Sequence, residues 1–215
     1  MKKTLFIAAT TWAALSIATT PTLAEGDAAA GKTKAATCAA CHMADGNSVV
    51  PLWPKLAGQS PNYIAKQLRD FKAKRRTDPT MSPQAEPLSE LDIEDLAAYF
   101  FSQSIQPGSS SKPDLVNKGR QIYRKGKINV SVIACVGCHG LKGAGNYVLL
   151  NPLKAPVEAP AIGSQHAQYI VKQLNAFGEE GDRTNDIGRI MRNITAGLTE
   201  EDIEAVAEYI ATLAD

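Results

Sequence analysis

Apolar residues recur along the chain at the three- and four-residue spacing of helices, and no segment alternates convincingly as a half-buried strand does. Near the C-terminus one helix face is formed by Ile203, Val206, Ala207, Ile210 and Leu213. A shorter helix is indicated by Ile64, Leu68 and Phe71, which lie about one turn apart on a common face. The pattern predicts an all-α fold.

Residues that favour helix starts stand just before these apolar faces. Ser89 and Asp92 have the spacing of a capping box, in which two side chains and two backbone amides bond reciprocally. Thr199 and Asp202 repeat that arrangement. Pro61, preceded by serine, stands where proline opens a helix. The acidic residues of these helices are expected on a solvated face, which the positive end of the helix also favours.

The chain contains one internal repeat. The matched segments are 54–59 with 160–165, 63–68 with 169–174, and 88–94 with 198–204. The offset between matched residues grows along the repeat, which indicates extra residues in the second copy around 146–157 and 179–190. Residues 105–113 between the copies are rich in Pro, Gly and Ser, as linkers often are.

The length of 215 residues suits one or two domains, and the repeat favours two. We therefore predict an N-terminal domain over residues 25–104, a linker over 105–113 and a C-terminal domain over 114–215. Domains of this size have a modest core. A large apolar group bound inside each one would supply part of that core, so its binding and folding should be coupled.

The first 24 residues have the pattern of a secretory signal. Lys2 and Lys3 precede an apolar stretch over residues 5–18, and small residues lead up to Ala24. We predict export with cleavage after Ala24. The alternative is a short N-terminal membrane anchor, for which the apolar stretch is rather short.

The charges are nearly balanced, with 23 Lys and Arg against 22 Asp and Glu and a net charge of +1. Nucleic-acid-binding proteins usually carry a clear basic excess, so we expect no nucleic-acid partner. After the N-terminus no run of 18 or more apolar residues occurs, so a membrane span in the mature chain is not expected.

All four cysteines fall into two copies of one motif, C-x-x-C-H. The copies are Cys38, Cys41 and His42, and Cys135, Cys138 and His139. This is the attachment motif of c-type haem. Residues three apart lie on one face of a helical turn, so both sulfurs can reach the two vinyl groups of one porphyrin while the histidine faces the iron. The motifs predict two covalently attached haem c groups.

Two other uses of paired cysteines fit the chain less well. Zinc ribbons place their pairs about 15–20 residues apart, whereas Cys135 follows Cys38 by 97 positions (135 − 38). A thioredoxin-like dithiol needs one pair and no following histidine. Both alternatives leave the repeated histidine unexplained.

The sixth position of each iron decides between an electron carrier and an enzyme. Met1 leaves with the signal, and Met43 directly follows the first motif, so it cannot reach the opposite haem face. Met81 and Met191 remain, at matched places in the repeat; the alternative is that they are ordinary core or surface residues. The predicted axial ligands are His42 with Met81 for one iron and His139 with Met191 for the other. Such ligation is typical of electron-transfer cytochromes.

Together these motifs resemble the cytochrome c4 family of di-haem bacterial cytochromes, over essentially the whole chain that follows the signal. The resemblance implies two tandem cytochrome c-like all-α domains related by a pseudo-two-fold axis, each wrapped around one covalent haem. It also implies that the carbonyls of Pro54 and Pro160 accept a hydrogen bond from the proximal histidines and fix their imidazole rings. Met43 departs from the glycine that many cytochromes c have after the histidine.

The resemblance further implies a periplasmic electron carrier in respiration rather than an enzyme. Its donor would be a cytochrome bc complex or a dehydrogenase, its acceptor a terminal haem–copper oxidase, and its membrane association loose. One alternative is the electron-accepting partner of a periplasmic dehydrogenase, for example a thiosulfate-oxidising one. A less favoured alternative is a di-haem enzyme: thiosulfate-oxidising haems use a cysteine ligand, which this chain cannot spare, and peroxidases need an open iron.

Three features have weaker interpretations. His166 is expected at the surface or at a domain interface, with ligand switching as the remote alternative. Arg76 and Arg183 precede the matched methionines, where they either meet a haem propionate or carry ordinary surface charge. The basic run that includes Lys72 and Lys74 is most often a solvated face, and alternatively steers an acidic redox partner.

Overall fold

The computed structural model describes residues 26–150 and 155–214. The predicted signal and its cleavage site after Ala24 lie outside the described residues. Helices make up nearly all of the regular structure, which confirms the all-α prediction apart from one short hairpin. In these two ranges, no helix combines the length and the apolar character needed to cross a membrane.

The N-terminal domain is built around two crossing helix pairs. Its helices are α1 (Ala28–Lys34), α2 (Ala39–His42), α3 (Pro61–Lys72), α4 (Met81–Ala85) and α5 (Glu90–Phe101). Helix α5 packs against both α1 and α3. Ser60 caps α3 by accepting a hydrogen bond from the Tyr63 amide, and the Ser89–Asp92 capping box opens α5. The helix starts predicted from the sequence are confirmed here.

The C-terminal domain repeats this arrangement. Its helices are α6 (Pro113–Lys125), α7 (Val136–His139), α8 (Ala167–Phe177), α9 (Ile190–Thr195) and α10 (Glu200–Ala211). Helix α10 packs against α6 and α8, as α5 packs against α1 and α3. Thr199 and Asp202 form the predicted capping box at the start of α10.

A glycine at matched positions allows the first and last helices of each domain to cross closely. A Cβ built on Gly31 would lie 2.0 Å from the Asp95 carbonyl oxygen on α5. A Cβ on Gly119 would lie 1.9 Å from the Ala205 carbonyl oxygen on α10. Any side chain at either position would force these helices apart.

In the part of the chain that the structure describes, a hairpin departs from the helical prediction. Strands β1 (Asn146–Leu150) and β2 (Ala155–Ala159) pair antiparallel, from Asn146 opposite Ala159 to Leu150 opposite Ala155. The expectation of no strand was wrong for this segment. The apolar run of this segment is short. Over five residues, hydrophobic periodicity does not distinguish a strand from a turn of buried helix. The hairpin lies where the repeat predicts extra residues.

Each domain has its own apolar core. In the N-terminal domain the buried cluster contains Ala35, Ile64, Ala65, Ile93, Leu96, Ala97, Tyr99 and Phe100. In the C-terminal domain it contains Ile122, Tyr123, Ile170, Val206, Ala207, Tyr209, Ile210 and Leu213. The face predicted for the last helix is thus buried throughout. Cys38 packs against the first cluster and Cys135 against the second, so each core reaches a C-x-x-C-H motif.

Two carboxylates on α10 are buried, contrary to the expected solvated face. Asp202 is 3% exposed and forms an ion pair with Lys127. Glu208 is 4% exposed and accepts hydrogen bonds from the Ser110 hydroxyl at 2.6 Å and the Ser111 amide at 2.7 Å. Partners on other elements replace the water that each carboxylate loses, which periodicity within one helix could not indicate.

Candidate haem sites

Each C-x-x-C-H motif forms a single helical turn. The His42 amide donates to the Cys38 carbonyl at 2.9 Å, and the His139 amide donates to the Cys135 carbonyl at 2.9 Å. Each turn therefore places its first cysteine and its histidine, four positions apart, on neighbouring sites of one face. The arrangement leaves both sulfurs and the imidazole of a motif available to one bound group.

Both motif histidines are held by a proline carbonyl. His42 Nδ1 lies 2.8 Å from the Pro54 oxygen, and His139 Nδ1 lies 2.9 Å from the Pro160 oxygen. A carbonyl oxygen only accepts, so Nδ1 carries the proton and Nε2 keeps its lone pair. Burial lowers the pKa of both imidazoles, outweighing the opposite effect of the hydrogen bond. Each motif histidine thus presents a neutral, oriented imidazole whose Nε2 could ligate a metal.

The four cysteines, both motif histidines and two methionines line one continuous cavity of about 810 Å³. Its wall is mainly apolar and comes from both domains, with Leu96 and Phe100 on one side and Val206 and Ile210 on the other. Ligand cavities of this kind are typically apolar with a few placed polar groups. The two motifs therefore belong to one internal space shared by the domains.

Met81 and Met191 reach this cavity from different local structures. Met81 is the first residue of α4, and its amide donates to Asp78 Oδ1 at 3.0 Å. Met191 is the second residue of α9, and its carbonyl accepts a hydrogen bond from the Thr195 hydroxyl at 3.0 Å. Each methionine shares the cavity with the motif histidine of its own domain.

The cysteine thiols lie in apolar surroundings. Burial raises the pKa of Cys135 to about 11 and also raises the pKa of Cys38 and Cys138. Reactive cysteines of dithiol oxidoreductases have the opposite property, a lowered pKa. The surroundings of these thiols therefore disfavour the dithiol alternative.

Arg76 and Arg183 meet at the boundary of the two domains. Arg183 donates to Gln173 Oε1 at 2.7 Å and to the Tyr63 hydroxyl at 3.0 Å. Arg76 donates to Gln67 Oε1 at 2.8 Å and to Gln173 Oε1 at 2.8 Å. Both side chains line the cavity. The surface-charge alternative is wrong for Arg183, which is 7% exposed.

Two glutamines form a second, symmetric set of contacts between the domains. Gln165 accepts from the Lys55 amide at 2.9 Å and donates to the Lys55 carbonyl at 2.9 Å. Gln59 accepts from the Ala161 amide at 3.0 Å and donates to the Ala161 carbonyl at 2.8 Å. Sequence reasoning missed both glutamines as functional residues. They stand at matched ends of the repeated segments 54–59 and 160–165, which was the available signal.

His166 lies at the domain interface, one of its two expected places. Its Nε2 is 2.7 Å from the Ser48 carbonyl oxygen. His166 is not among the residues that line the cavity, so its side chain does not face the bound groups proposed there. In the basic run, Lys72 and Lys74 are exposed, in keeping with a solvated face.

Comparison with known proteins points to one family. The family described as cytochrome c matches residues 28–104 and 116–214. Cytochrome c4 of Pseudomonas aeruginosa is 46% identical over 191 residues, covering 88% of this chain and 90% of that protein. The crystal structure of reduced recombinant cytochrome c4 from Pseudomonas stutzeri is 43% identical with a TM-score of 0.79, covering 88% of this chain and all of that one. A thiosulfate dehydrogenase electron acceptor of Stutzerimonas stutzeri is 32% identical, covering 83% and 80%.

Proposed function

Because the chain belongs to the cytochrome c4 family, we propose that it is a periplasmic electron carrier with two covalent haem c groups. The observation that carries the proposal is the shared cavity, which both C-x-x-C-H motifs and both matched methionines line. The proposed domains are residues 25–104 and 114–215, joined by 105–113 and preceded by a signal cleaved after Ala24.

The residues of the cavity fit haem. Thioether bonds would come from Cys38 and Cys41 for one group and from Cys135 and Cys138 for the other. The mainly apolar wall suits a porphyrin. When bound, haem supplies one-electron chemistry at its iron. Arg76 and Arg183, which line the cavity between the domains, suit the carboxylates at the polar edge of such a group.

The axial ligands explain why we propose a carrier. His42 and His139 present a neutral imidazole whose orientation Pro54 and Pro160 hold. Met81 and Met191 are the methionines that line the same cavity, and a soft thioether favours ferrous iron. Iron held by one histidine and one methionine in each domain would leave a small substrate no open position. The residues therefore support electron transfer better than catalysis.

Redox partners would dock on the outside of the two domains. We propose a cytochrome bc complex or a dehydrogenase as donor, a terminal haem–copper oxidase as acceptor, and loose association with the membrane. The exposed basic residues Lys72, Lys74 and Arg75 suit an acidic partner surface. A second candidate, the electron acceptor of a thiosulfate-oxidising dehydrogenase, is favoured by the similarity to a protein of that name.

The test compares the two partners directly. Reduced protein is mixed with membranes that contain a terminal oxidase, and its reoxidation is followed with and without an oxidase inhibitor. In parallel, oxidised protein is mixed with thiosulfate and a thiosulfate dehydrogenase. Inhibitor-sensitive reoxidation supports the respiratory role, and rapid reduction in the second assay supports the dehydrogenase role. Tight carbon monoxide binding by the native protein would contradict the carrier proposal, because it requires an open iron.

A further inference from the structure

One peptide group in the N-terminal domain is hydrogen-bonded at both of its ends. The peptide that joins Pro54 to Lys55 accepts from His42 Nδ1 through its carbonyl at 2.8 Å. Its N–H donates to Gln165 Oε1 at 2.9 Å. A chain of two bonds thus runs from the imidazole, through a single peptide group, to a side chain of the C-terminal domain.

A matching pair of hydrogen bonds runs from the C-terminal domain to the N-terminal domain. The peptide that joins Pro160 to Ala161 accepts from His139 Nδ1 at 2.9 Å, and its N–H donates to Gln59 Oε1 at 3.0 Å. Gln59 belongs to the N-terminal domain. Each domain therefore contributes the glutamine that bonds the peptide holding the histidine of the other domain.

The geometry fixes both glutamine amides. Gln165 is 6% exposed and Gln59 is 8% exposed. Each amide nitrogen donates to a carbonyl of the other domain, at 2.9 Å for Gln165 and 2.8 Å for Gln59. If the oxygen and nitrogen of either glutamine amide were exchanged, its NH2 group would face the peptide N–H and its oxygen would face the carbonyl, and neither contact would be a hydrogen bond. The oxygens therefore face the peptide N–H groups.

A hydrogen bond at the N–H of a peptide strengthens its carbonyl as an acceptor. Such cooperative strengthening is about 10–30% per bond in condensed-phase estimates. A stronger carbonyl draws the Nδ1 proton further from the imidazole and makes the ring more basic toward a metal. A more basic axial ligand stabilises ferric iron over ferrous iron and lowers the reduction potential.

We propose that Gln165 and Gln59 are positioning residues that act across the domain interface, each lowering the reduction potential of the haem in the other domain. The proposal rests on the proposed function, in which His42 and His139 ligate iron. Gln165 acts on the N-terminal haem through Lys55 and Pro54. Gln59 acts on the C-terminal haem through Ala161 and Pro160.

The experiment replaces each glutamine with methionine in the full, haem-loaded protein. The two potentials are measured by spectroelectrochemical titration, with each haem assigned by NMR. We expect Gln165→Met to raise mainly the potential of the N-terminal haem, and Gln59→Met to raise mainly that of the C-terminal haem. The crossed pattern is the signature, since loosening of the interface would move both haems in both variants.

A second readout is the Nδ1 proton of each histidine, observed by NMR in the reduced protein. Gln165→Met should move the His42 Nδ1 proton to lower frequency, as expected for a weaker hydrogen bond. Gln165→Glu keeps an acceptor, and a carboxylate accepts more strongly than an amide. It should move the same proton the opposite way, and it decides the question if the methionine variant does not fold.

The matched control is His166→Ala. It removes another contact between the domains, the 2.7 Å contact with the Ser48 carbonyl, and leaves both peptides untouched. It should move neither Nδ1 proton. Shifts in the haem of the mutated domain, equal shifts in both haems, or no shift while the Lys55 amide exchanges faster would each overturn the proposal. Failure of the proposed function is distinct, because the native protein would then lack two histidine-ligated haems.

Discussion

In the N-terminal domain, His42 Nδ1 lies 2.8 Å from the Pro54 oxygen; in the C-terminal domain, His139 Nδ1 lies 2.9 Å from the Pro160 oxygen. The capping boxes that open α5 and α10 match equally well. The connections between these shared parts differ. Seven positions separate Gly31 from Cys38 (38 − 31), but sixteen separate the matched Gly119 from Cys135 (135 − 119).

The additional residues before Cys135 form a closed loop. Lys127 and Val132 bond to each other across it, at 2.8 Å and 3.1 Å. Val132 is 2% exposed and anchors the loop, whereas Ile128 is 87% exposed at its tip. Together with the hairpin of β1 and β2, this loop sets the C-terminal domain apart. The parts that face the cavity thus keep their geometry, while the connections around them vary in length.

The two domains also share a backbone conformation at the residue that follows each motif histidine. Met43 has φ 64° and ψ 163°, and the matched Gly140 has φ 81° and ψ 166°. This backbone region is essentially restricted to glycine, and other residues there cost about 1–3 kcal/mol. Both copies of the repeat thus have the same backbone conformation at this position. Gly140 adopts it without strain, whereas Met43 is strained.

Removing one cysteine pair should change the protein most. Cys38→Ser with Cys41→Ser, and separately Cys135→Ser with Cys138→Ser, should each leave one covalent haem per chain. No thioether can form in the changed domain, while the other domain keeps its own motif. The mass of the denatured protein measures the number attached. Loss of both groups from either variant would show that the domains do not load independently.

The next effect concerns the two methionines proposed as axial ligands. Met81→Ala and Met191→Ala should each lower the potential of one haem and let carbon monoxide bind there, because the soft ligand is lost. Redox titration beside carbon monoxide binding measures both properties. Met43→Ala is the matched control and should leave the iron closed. If neither potential moves, the proposed ligands are wrong; if only one moves, the two domains differ at the iron itself.

A smaller effect is expected on stability, where the matched carboxylates Asp202 and Asp92 should differ. The Asp202 side chain is 5% exposed, whereas that of Asp92 is 31% exposed. Burial alone would raise the pKa of Asp202, but hydrogen bonds from Lys127 and Thr199 outweigh it and hold that pKa well below its usual range. We expect Asp202→Asn to destabilise the C-terminal domain by about 2–3 kcal/mol at pH 7, the cost of leaving a buried donor poorly matched. Asp92→Asn should cost less.

The pH dependence has a definite sign. A carboxylate with a lowered folded pKa stabilises the native state above its unfolded pKa, about 3.9, and that contribution is lost as the pH falls below it. The difference in free energy of unfolding between the native protein and Asp202→Asn should therefore be smaller at pH 3 than at pH 7. Urea unfolding at both pH values measures it. A difference that stays constant with pH would show that the Asp202 carboxylate is not the cause.

The smallest expected effect is a gain. Met43→Gly should stabilise the N-terminal domain by about 1 kcal/mol, because relief of backbone strain exceeds the entropy that glycine adds to the unfolded chain. Gly140→Ala is the reverse change and should destabilise the C-terminal domain; a Cβ there would meet only the Gly145 oxygen, at 3.8 Å, so backbone strain alone acts. Chemical unfolding measures both. A loss of stability in Met43→Gly would mean that methionine packing matters more than strain.

Local signals in the sequence were sufficient for the helices α3, α5 and α10. Ser89 and Thr199 indicated capped helix starts, and the internal repeat indicated two equivalent domains. The prediction of a two-domain cytochrome c fold is confirmed by the family match and by the structural similarity. Contacts between distant segments escaped prediction. Burial of Asp202 depends on Lys127, which approaches only in the folded chain.

In the candidate site, too, features with local signals could be predicted and contacts between distant segments could not. The predicted cysteines, motif histidines and methionines all line the cavity, and residue type, motif spacing and matched places in the repeat were enough to predict them. Gln59 and Gln165 were not predicted, because glutamine has no such signature and its role depends on which peptide it meets across the interface. Hairpin pairing of β1 with β2 likewise depends on a partner strand, which no single short run specifies.

The glutamine contacts also bear on how such a chain arises. Gln59 meets Ala161 and Gln165 meets Lys55, and within the repeat 59 is equivalent to 165 and 55 to 161. This reciprocity is that of an isologous interface, the kind found in symmetric homodimers. Covalent fusion turns such a bimolecular association into an intramolecular one, with an effective concentration on the order of millimolar for short tethers. Fusion also lets each repeat change alone, so an insertion such as the hairpin of β1 and β2 need not occur in both repeats.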